Sequence, residues 1–310
     1  MRQRRITVVV VLMLVIAAIA FVVAGFGSDD GGAADAGVVA AKKKPKPKPP
    51  PELPGGGRRL FPHHRIVAYY GAPQNVELGA LGIGTANQAG KKLLAQMRAY
   101  RRGGRHLLPA MELIAVVAAG SAGRDGSYNY KQSFATVKTY LKAARKIKAL
   151  LILDIQPGHA DFMQLTKHYQ RFLREPDVAL ALDPEWHTPN AVPGTVIGST
   201  DAATVNRISA YLAAVVRKYR LPDKLLLVHQ FTESMIQKKE HLRHRPGVPL
   251  VLNVDGFGNQ AVKISKYKDF THPRTRSRTG FKVFYKEDTD TMTPAEVLKL
   301  RPRPDVVIYE

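Results

Sequence analysis

From residue 61 onward the chain repeats one pattern, a short apolar run with strand character followed by a segment of helix-forming residues. Eight such runs occur, at 65–70, 113–119, 150–156, 178–185, 224–231, 248–255, 280–285 and 305–309. Helical periodicity fills most of the intervals, over 91–101, 133–148, 161–174 and 201–219. Thr293-Pro294-Ala295-Glu296 has the form of a capping box with proline at the first helical position, which starts a short helix before the last strand. The intervals at 233–243 and 263–270 are the weakest helices. Eight strands alternating with helices in about 250 residues is the arithmetic of an α/β (β/α)8 TIM barrel. An open doubly wound sheet needs a glycine-rich turn straight after its first strand. Gly82-Ile83-Gly84 comes too late for that turn and lacks the third glycine. Gly90-Lys91-Lys92 resembles the end of a phosphate loop, but Thr85 stands where glycine is required and Lys92 where Ser or Thr is required. Residues 71–90 therefore read as a long loop over the barrel mouth.

The first 60 residues differ in kind. Arg2, Arg4 and Arg5 precede an uncharged, mostly apolar stretch from Ile6 to Gly27. As a helix, 22 residues span about 33 Å, the thickness of a hydrocarbon core, and more than the roughly 7–15 apolar residues of a cleaved signal. Residues 1–27 are thus expected to be a transmembrane anchor or signal peptide that exports the remainder. Residues 28–60 turn to Gly, Ala and Asp and then to alternating Lys and Pro, which form neither helix nor sheet; a disordered, extended linker is expected. Residues 61–310 make the barrel domain, expected as a monomer at the cell membrane with its folded part outside.

The formal net charge is +22. Residues 1–60 carry ten Lys/Arg against four Asp/Glu, and the barrel region carries the remaining 37 against 21, so the folded part is basic in its own right. No recognition helix, zinc finger or RNA-binding strand motif is present, so nucleic acid is not the expected partner. A polysaccharide or anionic wall polymer fits the charge better, with the membrane contacted through the N-terminal helix. The chain has no cysteine, which excludes disulfides, thiolate metal sites and a cysteine nucleophile.

Active sites of this fold lie where the strands end. In strand four, Val178, Leu180 and Leu182 share one face, and Ala179, Ala181, Asp183 and Glu185 share the other. Large aliphatics toward the helices and small residues toward the axis place Asp183 and Glu185 inside, about 7 Å apart along the strand. Asp154 and Gln156 end strand three on one face, and Asn253 and Asp255 end strand six. Strand five ends His229-Gln230-Phe231-Thr232-Glu233, where parity alone does not choose the inward residue; His229, Gln230 and Glu233 are all candidates. Several carboxyls at neighbouring strand ends require a cation, a shared proton or a function. No metal centre is expected, because His63 and His64 precede strand one and no His-x-His or Glu-x-x-His pair occurs. No cofactor is expected either. Lys282 is expected at the start of strand seven, the wrong end for an imine-forming lysine, and no Gly-x-Ser-x-Gly elbow is present. Paired carboxyls among aromatics remain, the equipment of glycoside hydrolysis.

The stretch Leu182-Asp183-Pro184-Glu185-Trp186 is similar to the Asp-x-Glu ending of strand four in chitinase-like family 18 glycoside hydrolases. That resemblance implies Glu185 as the proton donor and Asp183 as the residue that orients a substrate group. The match is partial: Ala181 and Val178 stand where that family carries further acids, and Tyr309 ends strand eight where a Trp is common. Asp154 and Asp255 are expected to tune the pair. Trp186, the single tryptophan, is expected to stack on a sugar face, with Tyr69, Tyr70 and Tyr285 at other strand ends. The competing expectation is a non-catalytic carbohydrate- or anionic-polymer-binding barrel whose contact surface is the basic stretch Lys263, Lys266, Lys268, Arg274, Arg276, Arg278, Lys282 and Lys286.

Overall fold

The computed structural model describes residues 49–73, 75–272 and 276–310. The expected anchor over 1–27 and the linker up to residue 48 lie outside the described residues. No helix among the described residues is long and apolar enough to cross a membrane. The barrel strands are β1 (His64–Gly71), β2 (His106–Ala118), β3 (Leu150–Ile155), β4 (Val178–Leu182), β5 (Leu226–Gln230), β6 (Leu250–Val254), β7 (Arg278–Val283) and β8 (Val306–Tyr309). Each pairs in parallel with the next, and β1 pairs with both β2 and β8, so the eight-stranded ring is closed and leaves no free edge. This is the TIM-barrel arrangement.

Strand alternation sorts the core into two layers. Ile66, Ala68, Ala110, Ile152, Ala179, Ala181, Leu227, Val251 and Ile308 fill the axis. Val67, Met111, Leu153, Leu180, Val228, Leu252, Phe281 and Val307 face the helices. Each fully buried aliphatic contributes roughly 1.5–3 kcal/mol. The register of β2 slips between Ile114 and Val116, so Ala115 and Val116 both face outward and Val117 turns back inward.

The helices are α1 (Ala86–Met97), α2 (Phe134–Lys146), α3 (Phe162–His168), α4 (Gln170–Leu173), α5 (Ala202–Tyr219), α6 (Gln260–Thr271) and α7 (Pro294–Val297). Their starts follow from local chemistry. Ser133, Asp161, Asp201 and Asn259 each accept a hydrogen bond from the backbone N–H three residues on. Thr293 and Glu296 form the expected capping box, and Thr85 and Gln88 form another. The interval after β5 is not helical. It forms 3-10 turns at Glu233–Met235 and Lys239–His241, separated by a two-residue strand, Ile236–Gln237, that pairs with Thr200–Asp201. Lys238 sits at φ 53°, a left-handed conformation that no continuous helix accommodates.

Residues 49–60, read from composition as the end of the linker, belong to the compact unit that contains the barrel. Leu53, Leu60 and Phe61 join the axial core. Arg58 donates to Pro51 O at 2.6 Å and to Leu221 O at 2.9 Å, and Leu60 N donates to Asp223 Oδ2 at 2.9 Å. This segment crosses the end of the barrel where the strands begin.

Candidate active site

Toward the C-terminal ends of the strands the inward residues become polar: Tyr70, Glu112, Asp154, Asp183, His229, Asn253, Asp255 and Lys282 are all buried. His229 lies at the centre of this set. Its Nδ1 is 2.9 Å from Asp255 Oδ2 and its Nε2 is 3.1 Å from Glu112 Oε1, with Asp154 Oδ1 at 3.9 Å. Burial opposes protonation of this ring, but the bonds to Asp255 and Glu112 outweigh it and hold the imidazole as a cation. Lys282 Nζ reaches Asp255 Oδ2 at 3.3 Å and Glu310 Oε2 at 2.6 Å, and lies 3.8 Å from the centre of the Tyr70 ring. Burial again opposes the charge, and the Asp255 and Glu310 carboxylates more than restore it, so Lys282 remains an ammonium.

The carboxyls divide by environment. Asp255 is buried, which alone would protonate it, but Lys282, the His229 bond and the Gly256 N–H at 2.7 Å hold it well below the usual carboxylate range. Gly256 is at φ 114°, and a Cβ there would stand 2.5 Å from Lys266 Nζ and 2.9 Å from the Phe231 ring, so only glycine brings this N–H onto the carboxylate. Asp183 moves the other way: burial, reinforced by Asp154 and Glu185, raises it well above the usual range and keeps its proton on. Asp154 is pushed up to about 7 by burial, with His229 opposing the shift and Glu112 adding to it. Tyr70 donates to Asp154 Oδ2 at 3.2 Å and accepts from Gln156 Nε2 at 2.9 Å. Gln156 also reaches Asp183 Oδ2 at 3.5 Å. Burial, followed by Asp154, raises the Tyr70 hydroxyl well above its ordinary value, so it acts as a donor.

Glu185 stands apart. The strand ends at Leu182, and Pro184–Trp186 form a 3-10 turn, so Glu185 is presented by that turn and not by strand parity. Gly198 N donates to Glu185 O at 2.7 Å and pins the turn. The Glu185 carboxyl is half-buried and accepts no hydrogen bond from the described residues. Burial first, then the Asp255 carboxylate, raises its affinity for a proton. Together Glu185, Asp183, Asp255, Gln156, Tyr70 and Lys282 face a cavity of about 230 Å³. Its rim is aromatic: Trp186, Phe231, Phe257 and Phe284. Phe284 is held by its own loop, where Asp288 accepts from Phe284 N at 3.0 Å and pairs with the buried Lys263 at 2.7 Å.

Some of the expected site residues lie elsewhere. Tyr69 faces the helices, in edge contact with Tyr285 and Tyr309, and Tyr285 stacks on Tyr309 outside the cavity wall. Gln230 turns outward and donates to Thr232 O at 3.3 Å, and Glu233 is exposed and paired with Lys239 at 2.8 Å. His229 and Asn253 lie beneath the cavity floor and do not line it. Lys282 is not at the start of its strand: β7 begins at Arg278, so Lys282 is its fifth residue and points into the site. Glu112 belongs to the site although the apolar run of strand two starts one residue after it. The basic stretch of the competing reading is also dispersed. Lys263 is buried against Asp288, Lys282 lies inside the barrel, Lys266 donates to Phe231 O at 3.1 Å, and Arg274 lies outside the described residues.

One oxygen of Glu112, one of Asp154 and a ring nitrogen of His229 lie within 4.8 Å of one another, a metal-like spacing.

No family model matches the chain, and no curated protein matches it. Among solved structures it is similar to the wild-type sialic acid aldolase of Ruminococcus gnavus, at 13% identity, covering 81% of this chain and 68% of that one, with a TM-score of 0.39.

Proposed function

We propose that the barrel is a glycoside hydrolase-like protein, exported and tethered by its N-terminal segment, that acts on a cell-envelope or extracellular polysaccharide. One observation carries the proposal: two carboxyls on one cavity are driven in opposite directions. Glu185 is made a weaker acid by burial and by the neighbouring charge of Asp255, and Asp255 is kept ionised by Lys282, His229 and Gly256 N–H. Such a pair is what acid-assisted cleavage of a glycosidic bond needs. Glu185 delivers a proton to the leaving oxygen, and the Asp255 carboxylate opposes the positive charge that develops on the sugar ring. Asp183, which retains its proton, and the Gln156 amide offer donors to a substrate acyl or hydroxyl oxygen. Trp186 and Phe257 supply flat apolar faces at the rim for C–H stacking.

A second reading is a non-catalytic carbohydrate- or wall-polymer-binding barrel. In its favour, Asp255 is 5% exposed and its oxygens already engage three donors. The two readings separate when the purified protein is incubated with a panel of wall polysaccharides and new reducing ends are measured. Release that disappears in Glu185→Gln supports hydrolysis; binding without release across the panel supports the second reading.

A further inference from the structure

The end of the barrel opposite the cavity carries a second concavity, about 350 Å³, lined by Arg105, Arg276, Arg278 and Arg303. Arg105 immediately precedes β2, Arg276 lies two residues before Arg278, which opens β7, and Arg303 precedes β8, so the closed ring itself brings all four together where the strands begin. Asp305 is the one carboxylate in this wall. It pairs with Arg105 and lies 3.9 Å from Arg278. A fifth guanidinium stands beside them: Arg65 is fully buried, donates to Pro304 O at 3.1 Å and Gly103 O at 3.5 Å, and leaves its Nη2 without a partner. Burial first, then the charges of Arg105 and Arg303, disfavours the Arg65 cation.

We propose that this basal concavity is a binding site for a tetrahedral phosphate group. Four guanidiniums line a wall that holds one carboxylate, and the buried Arg65 cation beside them adds to their mutual repulsion. A phosphate oxyanion offsets that repulsion. Its oxygens match the planar fork of arginine better than a halide does, and it brings up to two negative charges to a wall that has one. Arg276 is exposed, and Arg303 holds only Leu298 O, through Nε at 3.1 Å, so both have donors to offer. The site is separate from the cavity holding Glu185, which opens at the other end of the strands.

The test is a titration of the full-length protein with inorganic phosphate against chloride at equal ionic strength, followed by thermal unfolding and calorimetry. Phosphate is expected to raise the unfolding temperature saturably. Arg276→Gln combined with Arg303→Gln is expected to weaken phosphate binding about tenfold without lowering the phosphate-free unfolding temperature, since it relieves part of the repulsion, and Glu185→Gln is expected to bind phosphate as the parent does. Vesicles of phosphatidylcholine with and without phosphatidic acid identify the source. If the double variant sediments less with the acidic vesicles than the parent does, the phosphate is a lipid headgroup; if the two sediment equally while free phosphate still distinguishes them, it belongs to a soluble or polymeric phosphate compound. The proposal is overturned if phosphate does no more than chloride, or if the double variant binds phosphate as tightly as the parent.

Discussion

Replacing Lys282 with methionine removes a charge and keeps much of the side-chain volume. In the native barrel the ammonium lies 3.3 Å from Asp255 and 2.6 Å from Glu310. At an effective dielectric of about 20 the two attractions are worth about 5 and about 6 kcal/mol, and the cost of burying the ammonium opposes both. Removing one partner of a buried pair leaves the other without compensation and typically costs about 3–5 kcal/mol. Lys282→Met is therefore expected to lose about that much in urea unfolding near pH 7, followed by Trp186 fluorescence and far-UV circular dichroism. The loss must also depend on pH. Asp255 has a folded proton affinity below its ordinary value of 3.8, so the stability it contributes is present above that pH and disappears as pH falls through the lower, folded value. The gap between parent and variant should accordingly shrink below about pH 4. A loss under about 1 kcal/mol at neutral pH, or a gap that does not narrow in acid, would refute the assignment of Lys282 as the cation that keeps Asp255 ionised.

Other outcomes follow from the same structure. Lys224 is buried where the barrel strands begin, and its ammonium donates to Val178 O at 2.6 Å and Glu175 O at 3.0 Å; burial lowers it from 10.5 to about 7. The unfolded chain binds this proton more tightly, so parental stability should rise with pH between about 7 and 10, and Lys224→Met should flatten that rise in urea midpoints. Asp154 should show a protonated-carboxyl infrared band that titrates near pH 7 and is missing in Asp154→Asn. Trp186→Ala should weaken glycan binding by about 1 kcal/mol, roughly fivefold in Kd by calorimetry, without changing the fold. Turnover should follow a bell in pH, because Glu185 must keep its proton and Asp255 must lose its own.

Much of the barrel is legible from alternation alone. The inward set Ala179, Ala181 and Asp183 and the outward set Val178, Leu180 and Leu182 follow from side-chain size, and the fold packs them that way. Two strand boundaries are not legible, and each conceals a charged residue. Pro109 makes the start of β2 look unlike a strand, since proline lacks the N–H a central strand needs. It is tolerated because pairing with β3 begins only at Ala110, so Pro109 has a neighbour on one side alone. That hides Glu112. In β7 the pattern Arg278-Thr279-Gly280 is too polar and too small to read as a strand, yet Gly280 must be small because a Cβ there would stand 2.4 Å from Asn253 Oδ1. That shifts Lys282 from apparent start to actual end. Tyr285 lies beyond the end of β7, where alternation no longer sets the face a side chain takes, whereas Tyr69, inside β1, alternates with the inward Tyr70 and takes the outward face.

In the proposed reaction Glu185 donates the proton and Asp255 carries the opposing charge. The most direct measurement compares hydrolysis of a natural glycan with hydrolysis of the corresponding dinitrophenyl glycoside, whose leaving group departs without protonation, in Glu185→Gln and Asp255→Asn. The expected result is that Glu185→Gln loses the glycan but keeps the activated substrate, whereas Asp255→Asn loses both. If Glu185→Gln cleaves the glycan at the parental rate, or loses both substrates in equal proportion, Glu185 is not the proton donor.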